Sequence, residues 1–146
     1  MTTRVYFAYG SNMHGGEMAE RCPEADFIGP ARLAGFTFRI ATGGYGTIVA
    51  DKNGVVHGVL WTLSPDDERS LDEYEGVPQG LYKRMLVEVE QPEGQHAQAF
   101  AYHALDETPG RPVKGYLETV LVAARSQGLP DEYITMLARW KDGAPA

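Results

Sequence analysis

The stretch Val5 to Met13, VYFAYGSNM, constrains the chain more than any other. Val5, Tyr6, Phe7 and Tyr9 are β-branched or aromatic, which suits a pleated, packed surface, so the segment begins as a strand. It stops at Gly10-Ser11-Asn12, ahead of a short polar segment, His14 to Arg21, that reads as helical. A strand, a Gly-Ser-Asn turn and a helix start gather backbone N–H groups around one small concavity. Converging donors and the positive end of a helix dipole attract anions. Glycine lets a ligand approach the backbone without meeting a Cβ. A chain built on this unit has to wrap a sheet around the strand and, for chemistry, bring a carboxylate to face the turn. Standing alone, the tripeptide is more simply read as a turn.

The chain that must do this has 146 residues, the size of one domain, with Lys141 to Ala146 read as a frayed tail. A chain of this length buries roughly 68–70% of its unfolded surface and needs no staples. Thirteen basic against twenty acidic residues give a net charge of −7 without any basic run. That balance argues against nucleic acid and against an anionic membrane surface as partners. One cysteine, Cys22, cannot form an internal disulfide and fits a reducing compartment. No apolar run reaches membrane-spanning length, and Gly10 cuts short any leader-like segment, so the expected location is the cytoplasm. Oligomeric state is not legible.

Beyond Cys22-Pro23, Ala25 to Thr42 reads as extended, with Phe36, Phe38 and Ile40 alternating against polar neighbours. A short strand, Thr47 to Ala50, and a return strand, Val55 to Leu63, are expected to flank a hairpin turn at Asn53-Gly54. Gly58 inside the second suggests a bulge or a close backbone approach. A helix then starts at Ser64-Pro65, with Asp67 at the capping-box position, and ends at Gly76. Leu71, Tyr74 and Glu75 share one of its faces. Tyr82 to Glu90 and Ala97 to Leu105 form a hairpin around Pro92-Glu93-Gly94. Helices from about Val113 to Ser126 and from Pro130 onward complete the chain, the last with Tyr133, Met136, Leu137 and Trp140 as its apolar stripe. Strands outnumber helices and are joined mainly by hairpins. This is an α+β pattern with a mostly antiparallel sheet, open or rolled up.

Glu75 is the residue most suited to chemistry. Asp72, Glu73 and Glu75 crowd the helix C-terminus, where the dipole disfavours acids by about 0.3–1 kcal/mol each, and a broken local rule tends to mark function. Burial beside Leu71, the dipole and the neighbouring carboxylates would together raise its pKa toward a useful general base. His14, His57, His96 and His103 lack metal-ligand spacing, so no metal or cofactor is expected. Cys22 lacks a nucleophile context, and Ser11 has no G-x-S-x-G elbow.

FAYGSNM, LDEYEGVPQGLY and QGLPDEY occur in that order, and together they resemble the γ-glutamylcyclotransferase family from about Arg4 to about Trp140. The resemblance implies a small mixed, mostly antiparallel β-barrel flanked by helices. It implies that Glu75, ahead of Gly76-Val77 and Gly80-Leu81-Tyr82, is the catalytic acid/base. The substrate-binding loop then corresponds to Tyr6, Phe7, Ala8, Tyr9, Gly10, Ser11 and Asn12, with Tyr82 and Tyr116 as further binding residues. Tyr116 follows Pro112-Val113 where the family has Pro-Ser. The implied reaction closes a γ-glutamyl compound to 5-oxoproline and releases an amino acid or amine, without a cofactor. A γ-glutamylamine-specific enzyme and a non-catalytic binder of small carboxylates are the alternatives. Gly43–Gly46 and Thr108–Pro112 are the expected rims of the pocket.

Overall fold

The computed structural model describes residues 4–145. Strands β1 (Arg4–Ala8), β2 (Asp26–Ile40), β3 (Gly46–Leu63), β4 (Tyr82–Glu90) and β5 (His96–Ala104) close into a barrel in the order β1-β3-β2-β4-β5. Every neighbouring pair is antiparallel except β5 and β1, which meet in parallel with Tyr6 opposite Phe100. Helices α1 (Gly15–Arg21), α2 (Pro65–Tyr74), α3 (Tyr116–Ser126) and α4 (Asp131–Ala138) flank the barrel. The mixed, helix-flanked barrel expected from the resemblance is the observed fold.

Closure explains why β1 is so apolar. It is paired on both edges, and Tyr6, Phe7 and Ala8 are all buried. The core around it includes Val56, Val59, Leu60 and Leu63 of β3, Phe100 and Ala101 of β5, and Leu71, Val120 and Leu137 from the helices. Gly58 lies where β3 crosses β1, and a Cβ there would stand 2.2 Å from the Ala8 carbonyl oxygen. The close approach inferred from the sequence is therefore present.

The Asn53-Gly54 hairpin is not. Residues on both sides of it pair with the same strand, β2: Ala50 with Phe36, and Val55 with Ala34. Asp51 to Gly54 form a bulge opposite the single residue Gly35, whose φ of +87° bends β2 at the same point. The local turn chemistry is real, since the Asn53 N–H donates to the Asp51 carboxylate at 3.1 Å. Ladder pairing on both flanks turns it into a bulge in one long strand. The chain reverses instead at Ala41 to Tyr45, where Ile40 faces Gly46.

Two helices also differ from expectation. The helix expected from Val113 begins at Tyr116, because Gly115 holds a φ of +84° that an α-helix cannot contain. Tyr74 does not join Leu71 in the core. It is half exposed and carries the Arg21 guanidinium 3.9 Å above its ring. Past α4, the N–H groups of Lys141 and Gly143 donate back to the carbonyls of Ala138 and Trp140, and Gly143 is buried.

Candidate active site

The turn after β1 is built as the sequence suggests. Ser11–Met13 form one turn of 3-10 helix, with Met13 N–H on the Gly10 carbonyl and His14 N–H on that of Ser11, both at 3.0 Å. The N–H groups of Ser11 and Asn12 precede the first of these bonds and are not used by them. Facing Gly10 is the hydroxyl of Tyr116, the first residue of α3, 2.7 Å from where a Gly10 Cβ would be. Gly46, at the start of β3, crowds the same hydroxyl and donates its N–H to it at 3.0 Å. The Tyr82 hydroxyl donates to the Gly46 carbonyl at 2.7 Å.

Glu75 is brought to this point by α2. Ser64 caps the helix by accepting from the Asp67 N–H at 3.1 Å, and Pro65 occupies the first turn. Leu71 is fully buried and fixes the rotation of the helix. Glu75 is the C-cap, its N–H on the Leu71 carbonyl at 2.9 Å, and Gly76 then reverses the chain at a φ of +75°. The Glu75 side chain enters a small chamber of about 30 Å³ walled by Tyr6, Tyr9, Tyr102 and Tyr116 and floored by Gly10 to Asn12 and Gly46.

Burial pushes the Glu75 carboxyl up to about 7, and the Arg21 guanidinium pulls the other way. The cause is narrower than the sequence suggested, because the neighbouring carboxylates do not drive the shift. Asp72 faces away from the chamber and is held by Arg84, through Nε at 2.8 Å and Nη2 at 2.9 Å, and by the Tyr102 hydroxyl at 2.6 Å. Glu73 is exposed. Burial also raises the tyrosines of the chamber well above the usual phenol range, so Tyr6, Tyr9 and Tyr116 keep their protons as donors.

Of the sequence candidates, the structure gathers Tyr6, Tyr9, Gly10, Ser11, Asn12 and Tyr116 around Glu75. Phe7 and Ala8 lie beneath, packed where β1 meets Gly58, and Tyr82 reaches the site only through the Gly46 carbonyl. Asn12 works largely as a brace. Its Nδ2 donates to the Tyr6 hydroxyl at 2.9 Å, its Oδ1 accepts from Arg21, and its carbonyl accepts from Trp61 Nε1 at 3.0 Å. Sequence reasoning missed Arg21 and Tyr102, and placed Gly46 only within the Gly43–Gly46 rim. Arg21 was findable, since Glu17 and Arg21 stand one turn apart on a helix that leaves the Gly-Ser-Asn turn, and they pair at 3.2 Å. Arg21 also donates to Ser11 Oγ at 3.2 Å. Tyr102 is placed by barrel closure and carries no local signal.

Other groups named from the sequence lie elsewhere. Cys22 is buried, which pushes its thiol up to about 12 and keeps it protonated. His57 packs edge-on against Tyr133, and burial lowers its pKa. Among the described residues no three His, Cys, Asp or Glu side chains gather as a metal site, and no helix is long and apolar enough to cross a membrane.

Comparison with known proteins agrees with the fold. A family model described as the AIG2-like family matches residues 55–137. A protein of Mus musculus named gamma-glutamylcyclotransferase is 32% identical over 141 residues, which cover 90% of this chain and 75% of the mouse protein. The Homo sapiens protein of the same name is 33% identical over 139 residues, 88% of this chain and 74% of the human one. A solved structure titled gamma-glutamyl cyclotransferase superposes with a TM-score of 0.89 at 29% identity, covering 99% of this chain and 90% of its own.

Proposed function

We propose, from the premise that this chain belongs to the AIG2-like family of γ-glutamylcyclotransferase relatives, that it is a single-domain cytoplasmic enzyme that cyclises small γ-glutamyl compounds. The observation that carries the reading is one carboxyl, raised to about 7 by burial, facing the Gly10–Asn12 turn, whose backbone donors sit beside the Tyr116 hydroxyl.

The N–H groups of Ser11 and Asn12 hold the substrate α-carboxylate, and Gly10 leaves room for it. Glu75, ionised, takes a proton from the α-ammonium group. The freed amine attacks the substrate's own γ-carbonyl carbon, and a C–N bond forms as the carbonyl oxygen gains charge. Gly46 N–H already occupies one lone pair of the Tyr116 hydroxyl, so the Tyr116 proton is free to donate to that oxyanion. Protonated Glu75 then gives its proton to the leaving nitrogen, and the original amide C–N bond breaks. The products are 5-oxoproline and a free amine or amino acid. The ring nitrogen gives up its second proton to the re-ionised Glu75, which passes it to the released amine, so that atoms and protons balance without water or a redox partner. A carboxyl whose pKa sits near the working pH serves both halves of the cycle. The four tyrosines fold the substrate into its attacking geometry, and intramolecular closure supplies much of the rate.

The test is 5-oxoproline release from a panel of γ-glutamyl-amino acids and γ-glutamylamines by wild type and by Glu75→Gln. Product from wild type alone supports the reaction and the base. Equal turnover by Glu75→Gln removes Glu75 from the mechanism. A folded wild type that makes no product but binds an intact γ-glutamyl ligand is a binding module.

A further inference from the structure

The reacting chamber holds about 30 Å³, too little for a whole substrate, and it shares Ser11 and Tyr116 as lining residues with an outer cavity of about 320 Å³. The other walls of the chamber, Tyr6, Tyr9 and Tyr102, are buried barrel residues. The shared residues make the outer cavity the adjoining space for the leaving half of the substrate. On a chain of net charge −7 the outer cavity carries two cations, Arg21 and Lys114, against one carboxylate, Glu17. It also displays large apolar side chains at the surface: Tyr45 is 48% exposed, Tyr74 50% and Val113 37%.

These features have separate uses. Arg21 is committed to Ser11, Asn12, Glu17 and the Tyr74 ring. Lys114 is in no ion pair among the described residues. Tyr45 and Tyr116 pack nearly at right angles, with ring centroids 5.2 Å apart, and both border the outer cavity. Val113 is locked in place, since its N–H donates to the Gly44 carbonyl at 3.0 Å and its side chain fills the space beside Gly44.

We infer that this vestibule selects the leaving group, with Lys114 taking a carboxylate and Tyr45, Tyr74 and Val113 packing a large apolar side chain, so that γ-glutamyl conjugates of aromatic or bulky apolar amino acids are the preferred substrates. The inference rests on the cyclotransferase reading and makes Lys114 and Tyr45 specificity-determining residues. Both stand at the surface end of the cavity, where substitution leaves the core intact.

Three substrates separate the contributions: γ-glutamyl-phenylalanine, γ-glutamyl-phenethylamine, which lacks only the leaving-group carboxylate, and γ-glutamyl-alanine, which lacks only the ring. Wild type should favour the first over each of the others by about tenfold in kcat/KM, the size of one charge-assisted contact or one apolar side chain. Lys114→Gln should shrink the phenylalanine-to-phenethylamine ratio at least about threefold, through KM with kcat kept. Tyr45→Ala should shrink the phenylalanine-to-alanine ratio in the same way. Equal kcat/KM for all three in wild type, with 5-oxoproline formed from each, overturns the inference and leaves cyclisation standing. Ratios that Lys114→Gln and Tyr45→Ala leave intact also overturn it. No 5-oxoproline from any of the three overturns both.

Discussion

Asp72 and Glu75 are three residues apart at the end of one helix, and they live in opposite surroundings. Asp72 looks toward β4 and β5, where Arg84 grips both of its oxygens and the Tyr102 hydroxyl adds a third bond. Glu75 looks into a chamber walled by tyrosines, and burial lifts its carboxyl to about 7. Glu68 extends the Asp72 side of the contrast by accepting from Arg84 at 2.6 Å. One face of the helix end is an electrostatic anchor and the other carries the carboxyl proposed as the proton relay. The lesson is that the acid tethered by partners supplies position, and the acid deprived of partners is the one whose pKa is shifted toward chemistry. The two roles are linked, because the anchor fixes the backbone from which Glu75 projects.

The largest expected effect breaks the contrast on the Glu75 side. Glu75→Gln keeps the shape and removes the proton carrier, and turnover should fall by about 10²- to 10⁴-fold, with the melting transition kept. Substrate affinity, measured by calorimetry, should change far less. A variant within a few-fold of wild type would make Glu75 a wall residue.

A second effect reads the same carboxyl through pH. The folded-state pKa lies above the ordinary carboxyl value of 4.5, so the unfolded chain releases this proton first as pH rises. Stability contributed by the protonated form is complete below about pH 4.5 and is lost as pH rises through about 7. Wild type should therefore lose about 3 kcal/mol relative to Glu75→Gln between pH 4 and pH 8, a difference read from paired denaturant titrations. The kcat/KM profile should rise through the same pKa, since only the ionised carboxylate accepts the ammonium proton. A profile flat from pH 5 to 8 contradicts a base with that pKa.

This contrast also marks what a sequence reader can see. The crowd of acids at a helix C-terminus was visible, as was the Gly-Ser-Asn turn, because both are local breaches of local rules. Ser64, Pro65 and Gly76 were legible as a start and a stop for the same reason. The partition of the acids was not legible. Arg84 and Tyr102 reach Asp72 from strands 12 and 30 residues away, and only barrel closure makes them neighbours. The Asn53-Gly54 turn failed in the opposite sense. Its local signal was correct, and long-range pairing of both flanks with β2 overrode it. Tyr116 stayed ambiguous because a buried tyrosine on an amphipathic helix looks like core until Gly10 and Gly46 are seen closing on its hydroxyl.

Removing the anchor gives the third effect. Asp72→Asn leaves Arg84 and Tyr102 with a weaker acceptor. Both members of the pair are about a quarter exposed, so solvent screening limits the loss to about 1–3 kcal/mol, seen as a lower urea midpoint. The acid limb of kcat/KM should stay near its wild-type position, since burial and not the Asp72 charge raises Glu75. A limb that moves down by a full pH unit would restore the neighbouring carboxylate as a cause.

The smallest effect belongs to the acid that takes neither role. Glu73 is exposed and points at no partner in the chamber or the anchor. If misplaced acids marked function as a group, Glu73→Gln would cost activity. If the two environments explain everything, it should leave kcat/KM within about twofold and raise stability by at most about 0.5 kcal/mol, through relief of the helix dipole. A gain that disappears at high salt would identify the dipole as its source, because screening acts on an exposed charge and not on the buried one beside it. Glu73 then separates the electrostatic rule from the proposed function: the rule disfavours all three acids at that end of α2, and burial singles out Glu75, the proposed base.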